Sequence, residues 1–521
     1  MNQIQGGVAA VWAALLNLFF ADQGHDLRKS GISLQLHGGA RSNIWMQLGP
    51  AIADEPALAR MYGCKGAAGL KPCLLCANVF NKRFRRDAIA ARDVTGWSCL
   101  HTESDPAKFV FHTRATLQEI VARLQAPMTK TAREELQTQL GWNLIPQGVV
   151  SSDRLLGLAD PAEHACFDWM HVLFVSGGVA SHTHWLVLQG LGRHGMGLDL
   201  FRTYVNSWHQ PGRVGSKQSG DMFTPSRVNG SRTAGYLQGP ASEQLSLLPI
   251  LANFCRAIVD GRRGDDEKRH AGCLLLLAEL TDYLVAAARH RIPGGAFLRT
   301  ASAFLQVFRD LFGEDSMTPK FHAILHFDKF LNRWGHVPNC WVLERKHKLS
   351  KRYSDPLTDT SRDWESSVLR SCTVHHLEAM AESRWTKEAA LIDPHEPKGQ
   401  LNQILRNTFG SDEQLLVSRA LRINEWEICC SRDFVLVRRG GEIVIAHLTF
   451  PFCVARNGRR IAFVGVQLYD ITEELPRSWK ARASRDCWIA NADDLIGSLV
   501  WSEDGVDIVL LKPARYNLRI E

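Results

Sequence analysis

The feature that most constrains this chain is a change of hydrophobic period part-way along it. Up to about residue 395, apolar residues recur at helical spacing, most clearly over residues 242–259, 268–290, 297–312, 319–333 and 340–353. Gly335 and Pro338 break the last two apart, and Pro394, Pro397 and Gly399 mark a boundary. Beyond Trp426 the pattern alternates and favours strands, over residues 434–438, 443–448, 461–469, 488–490 and 508–511. Gly440-Gly441 between the first two is a hairpin turn signal. A helix-period pattern does not settle as a strand, so the chain must be built from at least two kinds of unit. Five short strands at the end predict a small barrel or sandwich over residues 420–521.

The 521 residues suit three or four folded units with substantial cores. Apolar residues at 45% and charged residues at 22% exclude a disordered, collagen-like or polytopic membrane protein. The formal charge of +7 permits a polyanionic partner without demanding one. Thirteen cysteines are too dilute for a disulfide-stapled secreted scaffold, which makes a reducing compartment, cytosol or nucleus, the default. The apolar stretch 8–21 lacks a positive n-region, carries Asn17 and falls short of the ~20 residues of a membrane span. It reads as a buried helix.

Towards the N-terminus, residues 32–36 and 44–53 read as two strands, the second ending at Asp54-Glu55. A glycine-rich loop at 63–69 lacks Walker spacing, so a nucleotide-binding loop is not expected there. Residues 115–140 predict one amphipathic helix, and residues 212–240, rich in Gly, Ser and Arg, predict a long loop or disordered linker. No internal repeat of fixed period is present.

The strongest local signal is Cys73-x-x-Cys76 behind Pro72. Two thiolates at this spacing can hold one tetrahedral zinc from a tight turn, but they supply only half a site. Cys64, Cys99, His101, Cys166 and His171 are the candidates for the rest. The alternatives are two ordinary buried cysteines or a redox pair, the latter disfavoured by the absence of a thioredoxin-like βαβ pattern. Asp168 and His171, three apart at the start of an apolar segment, share one helix face and can reach one metal, or they are a helix-start acid and a core histidine. His322 and His326 pose the same choice, and with no third ligand nearby packing is the expected role.

Two acids also carry two readings each. Asp54 is a plain helix N-cap, or a catalytic carboxylate at a strand end. Glu344 is a surface acid satisfied by Lys348, or a metal-binding carboxylate beside a polyanion. The basic runs Lys82, Arg83, Arg85, Arg86 and Arg345, Lys346, Lys348 suit a phosphate backbone, though most such runs are solvated faces.

Taken in order, Asp-Glu-Pro-Ala-Leu, the CxxC loop, Phe-Asp-Trp-Met-His, Pro-Lys-Phe-His-Ala-Ile-Leu-His and Trp-Val-Leu-Glu-Arg-Lys-His-Lys resemble cut-and-paste transposases of the CACTA/Plavaka-like, KDZ-related group. The similarity spans about residues 30–355. The resemblance implies an α/β fold with a partial RNase H-like core, N-terminal part at 1–62 and C-terminal helices at 319–395. A large, mainly helical, zinc-supported insertion at 63–318 lies between them. It implies that Asp54 and Glu344 are the second and third acids of a DDE triad that holds catalytic Mg²⁺. Zinc at Cys73, Cys76 and His171, with Asp168 or one of Cys99, His101 and Cys166 as fourth ligand, would then be structural.

The first acid of that family lies on a strand upstream of the matched part. Only Asp22 and Asp26 precede Asp54, and neither lies in a β-run, so an N-terminally truncated copy is expected. The implied partner is DNA, with no membrane association, nuclear location and scope for a homo-oligomer. The competing classes are a non-catalytic zinc-stabilised DNA- or protein-binding module and an unrelated helical scaffold with an incidental CxxC.

Overall fold

A computed structural model describes residues 5–20, 26–35, 39–84, 98–212, 219–355, 364–381, 389–410, 413–424, 427–456 and 459–518. The chain divides into two compact units: Met1–Val187 with Gly235–Ser242 and Glu279–Trp341, and Leu188–Ala234 with Glu243–Ala278 and Val342–Glu521. These units interleave along the sequence, whereas the expected domains are consecutive. Among the described residues, no helix is long and apolar enough to cross a membrane.

In the first unit, the helix Gly7–Phe20 buries Ala9, Ala13, Leu16 and Phe20, one stripe at helical spacing. Leu15, Leu18 and Phe19 stay exposed, so the expected buried helix is present but buries only one face. Strands β1 (Ile32–Gln35) and β2 (Arg41–Ile44) form an antiparallel hairpin. The expected strand over 44–53 is not continuous. Gly49-Pro50 interrupts it, because proline offers no N–H to a ladder, and a separate strand β3 (Ala51–Ala53) follows.

Strand β4 (Val79–Phe80) pairs in parallel with β5 (Cys99–Leu100), and β3 pairs in parallel with β6 (Ala165–Phe167). The expected helix over 115–140 is two, Arg114–Gln125 and Lys130–Leu140. Pro127 ends the first, and the Thr129 side chain caps the second. Residues 319–333 likewise form two helices, Pro319–Ile324 and Phe327–Trp334.

The second unit holds the β structure. Strand β7 (Trp208–His209) precedes the helix Pro225–Ala234, which occupies part of the stretch expected to be a loop. Pro225 sits at its first position, where proline's fixed φ suits a helix start, so a composition that reads as loop still folds. Then come β8 (Ala390–Ile392), β9 (Gln414–Val417), β10 (Ala420–Arg422), β11 (Ile428–Cys430) and β12 (Phe434–Arg439). They are followed by β13 (Glu442–Arg456), β14 (Arg459–Glu474), β15 (Ser478–Asn491), β16 (Leu495–Leu499), β17 (Trp501–Asp504) and β18 (Asp507–Leu511).

The larger sheet is antiparallel throughout, in the order β16-β12-β13-β14-β15-β18-β17-β7, with β9 also on β13. A second sheet runs β11-β10-β8. The β structure therefore recruits residues 208–209, 390–392 and 414–417 from before the expected start at 420.

Alternation explains why the large sheet is covered on both faces. Val435 and Val437 pack into one core with Ala446, Val464 and Val466, to which Leu421 and Cys429 of the smaller sheet contribute. Phe434 and Leu436, one residue out of phase, pack into another core with Trp479, Ala481 and Leu510. The β12–β13 hairpin turns at Gly440 and Gly441, whose φ of +58° and +92° are left-handed values that side-chain-bearing residues avoid.

Candidate metal centre

Pro72 leads into a tight, wholly buried turn that carries Cys73 and Cys76. Backbone bonds fix this turn, with the Ala77 N–H donating to Val110 O at 2.8 Å and the His112 N–H to Leu75 O at 2.8 Å. The Leu75 N–H donates to Cys73 Sγ at 3.3 Å, a contact that stabilises negative charge on that sulfur.

Facing the turn are His322, in the helix Pro319–Ile324, and His326, the residue from which the helix Phe327–Trp334 starts. His326 Nε2 lies 3.3 Å from Cys73 Sγ, 3.6 Å from Cys76 Sγ and 3.0 Å from His322 Nε2. All four donor atoms lie within 4.8 Å of one another, and the four residues are 6%, 0%, 2% and 1% exposed in chain order. Zinc bonds of about 2.0–2.3 Å imply tetrahedron edges of roughly 3.3–3.8 Å, close to these separations.

The break between the two helices at Leu325–His326 lets both imidazoles turn to one point. Aromatic rings seal it. Phe109 stands edge-on to His322 at 4.6 Å between centroids, and Phe111 and Phe167 flank His326 at 5.6 and 5.9 Å.

The electrostatics suit a cation. Burial opposes ionisation of Cys73, but the Cys76 hydrogen bond and the two imidazoles outweigh it and hold that thiol well below its ordinary value. Burial, then the hydrogen bond with Cys73 and the charge on it, push Cys76 well above its own. Burial likewise depresses His326, keeping its ring a neutral donor. His322 Nδ1 is buried without a hydrogen-bond partner among the described residues. A divalent cation allows both sulfurs to ionise and gives the facing nitrogens a shared partner.

The other sequence candidates lie elsewhere. Cys64 Sγ accepts from the Gly66 N–H at 3.4 Å, and burial pushes the thiol up to about 12. The Cys99 thiol donates to Asn78 O at 3.9 Å. His101 is held between Met317 O and the Lys82 N–H, both at 3.3 Å, and burial pushes it down to about 4. The Cys166 thiol donates to Phe167 O at 3.9 Å. His171 and Asp168 do not join Cys73 and Cys76. They form a separate cluster with Cys340, whose three donor atoms also lie within 4.8 Å.

The two strand-end acids both serve as caps. Asp54 accepts from the Ala57 N–H at 2.7 Å at the start of the helix Glu55–Tyr62. Asp168 caps the short helix Trp169–Leu173. The Asp168 N–H donates to Ala53 O at 3.2 Å, so the acids follow two strands paired side by side. Burial first, and the charge on Cys73 second, push Glu55 up to about 7. Lys320 Nζ donates to His171 O at 2.9 Å, and burial lowers its pKa.

Glu344, Arg345, Lys346 and Lys348 lie on the helix Trp341–Ser354, and their side chains fall outside the described residues, as do Arg85 and Arg86 entirely. Lys82 Nζ donates to Glu314 O at 2.5 Å, and Arg83 is exposed.

His322 and His326 are the donors that sequence reasoning passed over as packing residues, because the cysteines they face lie far away in the chain, 253 and 250 positions from His326. The available signal was their i, i+4 spacing beside a CxxC left half-complete. Compared with known proteins, the chain matches no family model, and no curated protein matches it.

Proposed function

We propose that this chain is a zinc-stabilised, DNA-binding protein derived from a DDE transposase, whose ancestral reaction is metal-dependent DNA strand cleavage and transfer. The observation that carries this reading is the convergence of two motifs of the transposase resemblance. Cys73-x-x-Cys76 and His322-x-x-x-His326 supply the four donors of one buried centre. Donor pairs from two of the motifs on which the resemblance rests therefore face one point. Two thiolates and two imidazoles with no open position suit structural zinc, which holds the turn against the helices Pro319–Ile324 and Phe327–Trp334.

In this reading β3 belongs to an RNase H-like core, and Asp54 stands at its carboxyl end, where α/β sheets present chemistry. Asp54 and Glu344 would hold Mg²⁺, which supplies charge stabilisation for in-line phosphoryl transfer when bound. Asp54 keeps one oxygen on the Ala57 N–H, which fixes its orientation. Arg83, together with Lys82, Arg85, Arg86, Arg345, Lys346 and Lys348, would neutralise phosphates along the duplex, in the nucleus. The use of both Asp54 and Asp168 as helix caps favours a second reading, a binding module that keeps the fold and zinc without cleavage.

Duplex binding measured between 50 and 200 mM salt tests the shared claim, with affinity expected to fall steeply as salt rises. No binding at low salt overturns both readings. Mg²⁺-dependent nicking lost in Asp54→Ala and in Glu344→Ala selects the enzyme; binding without nicking selects the module. Nicking that survives both changes removes these acids from the site.

A further inference from the structure

We propose a second metal site, distinct from the Cys73 centre, in which Asp168, His171 and Cys340 bind one zinc-class divalent cation. The three residues reach it from three places: the end of β6, the helix Trp169–Leu173, and the residue just before the helix Trp341–Ser354. Their donor atoms lie within 4.8 Å of one another.

Asp168 is built as a ligand whose second oxygen is already spoken for. Its Oδ1 accepts the Met170 N–H at 3.0 Å and the Cys340 N–H at 3.1 Å, which locks the carboxylate and draws Cys340 to it. Its Oδ2 meets His171 Nδ1. The backbone contacts on Oδ1 thus hold the carboxylate in place, as outer contacts hold a metal ligand, and leave Oδ2 on the side of His171.

Charge favours a cation here. Asp168 is 0% exposed and Cys340 is 5% exposed, so a carboxylate and a thiolate would be buried together. A divalent ion bound there would neutralise the Asp168 carboxylate together with the Cys340 thiolate that binding creates. The donor set of one thiolate, one imidazole and one carboxylate selects a borderline metal such as zinc over Mg²⁺, which prefers oxygen throughout. The Asp168 side chain is closed off, but that of His171 is 19% exposed. Three protein ligands with one solvent-facing side leave a fourth position for water, the pattern of an exchangeable site and unlike the closed Cys73 centre.

The test is metal stoichiometry of the full chain, by elemental analysis after Zn²⁺ loading and by Co²⁺ titration followed through its thiolate charge-transfer and d–d bands. The expected result is two zinc per chain, falling to one in His171→Ala and in Cys340→Ser, and also to one in Cys73→Ser/Cys76→Ser. Cys166→Ser, close by in sequence, should retain two. In the double cysteine variant the remaining Co²⁺ spectrum should show a single thiolate and disappear when Cys340→Ser is added. A wild-type plateau at one metal, or two metals that survive His171→Ala and Cys340→Ser, overturns the site and leaves Asp168 and His171 as a hydrogen-bonded pair. Where Cys340→Ser does not fold, the wild-type titration alone decides, since one class of two-thiolate site contradicts the proposal. None of these outcomes depends on DNA binding.

Discussion

Around Cys73 the strands are two to four residues long, and the side chains that close the core come from 250 positions apart. In β13–β15 the strands run 15, 16 and 14 residues, each beside its neighbour in sequence. The first region spends buried volume on two cysteines, two histidines and their aromatic walls. The second fills both faces of one sheet with Val, Ile, Leu and Phe. Long ladders and two apolar cores carry the β structure through hydrophobic burial, at about 25 cal/mol per Å². The short strands cannot do the same, and a metal held by Cys73, Cys76, His322 and His326 would tie the distant segments together.

Metal removal should therefore separate the two regions. A strong chelator, or Cys73→Ser/Cys76→Ser, is expected to cost the first unit roughly 5 kcal/mol or more, given that structural zinc contributes about 10–16 kcal/mol of apparent binding energy in small peptides. Hydrogen exchange would show residues 66–84, 98–143 and 319–334 losing protection while β13–β15 keep theirs. Equal loss in both would break the contrast.

The converse change is Phe452→Ala. Phe452 is fully buried with Leu405, Leu415, Val417 and Val454, and it stacks on Phe463 at 5.5 Å between centroids. Truncation should cost about 3–5 kcal/mol and deprotect the β sheet with zinc content unchanged.

Acid should weaken the first unit next. Burial pushes both His101 and His112 down to about 4 from an ordinary 6.5. The unfolded chain therefore takes up these protons first. Their contribution is complete above pH 6.5 and is lost as pH falls through about 4. Urea midpoints for the first unit, read by exchange at pH 7, 5 and 4, should fall across that window. The smallest effect is expected from Gly441→Ala, whose φ of +92° makes any side chain strained, at about 1 kcal/mol in the β unit alone.

What the sequence disclosed follows the range of the interactions involved. The Gly440-Gly441 hairpin and the helix Ala296–Phe312 were visible because a turn and a 3.6-residue period are local. The long strands looked like short ones because bulges between Leu448 and Phe450, and between Gln467 and Tyr469, shift the phase of alternation. The place of Trp208–His209 on β17 had no local signal at all, since an edge pairing of two residues is decided by the partner strand.

The site divides in the same way. Cys73 and Cys76 announced themselves through their spacing. His322 and His326 were visible as a pair but gave no sign of their partner, and Asp168 and His171 looked equally fit to fill the vacancy. Only the fold sends them to Cys340 instead.

The central claim is that Cys73, Cys76, His322 and His326 together hold one tightly bound zinc. It is tested most directly by zinc analysis of the His171→Ala/Cys340→Ser chain, in which the second cluster is removed. One zinc per chain, retained on dialysis and lost when His322→Ala/His326→Ala is added, is the predicted result. A chain that folds with no zinc, or keeps one after both histidines are gone, contradicts it.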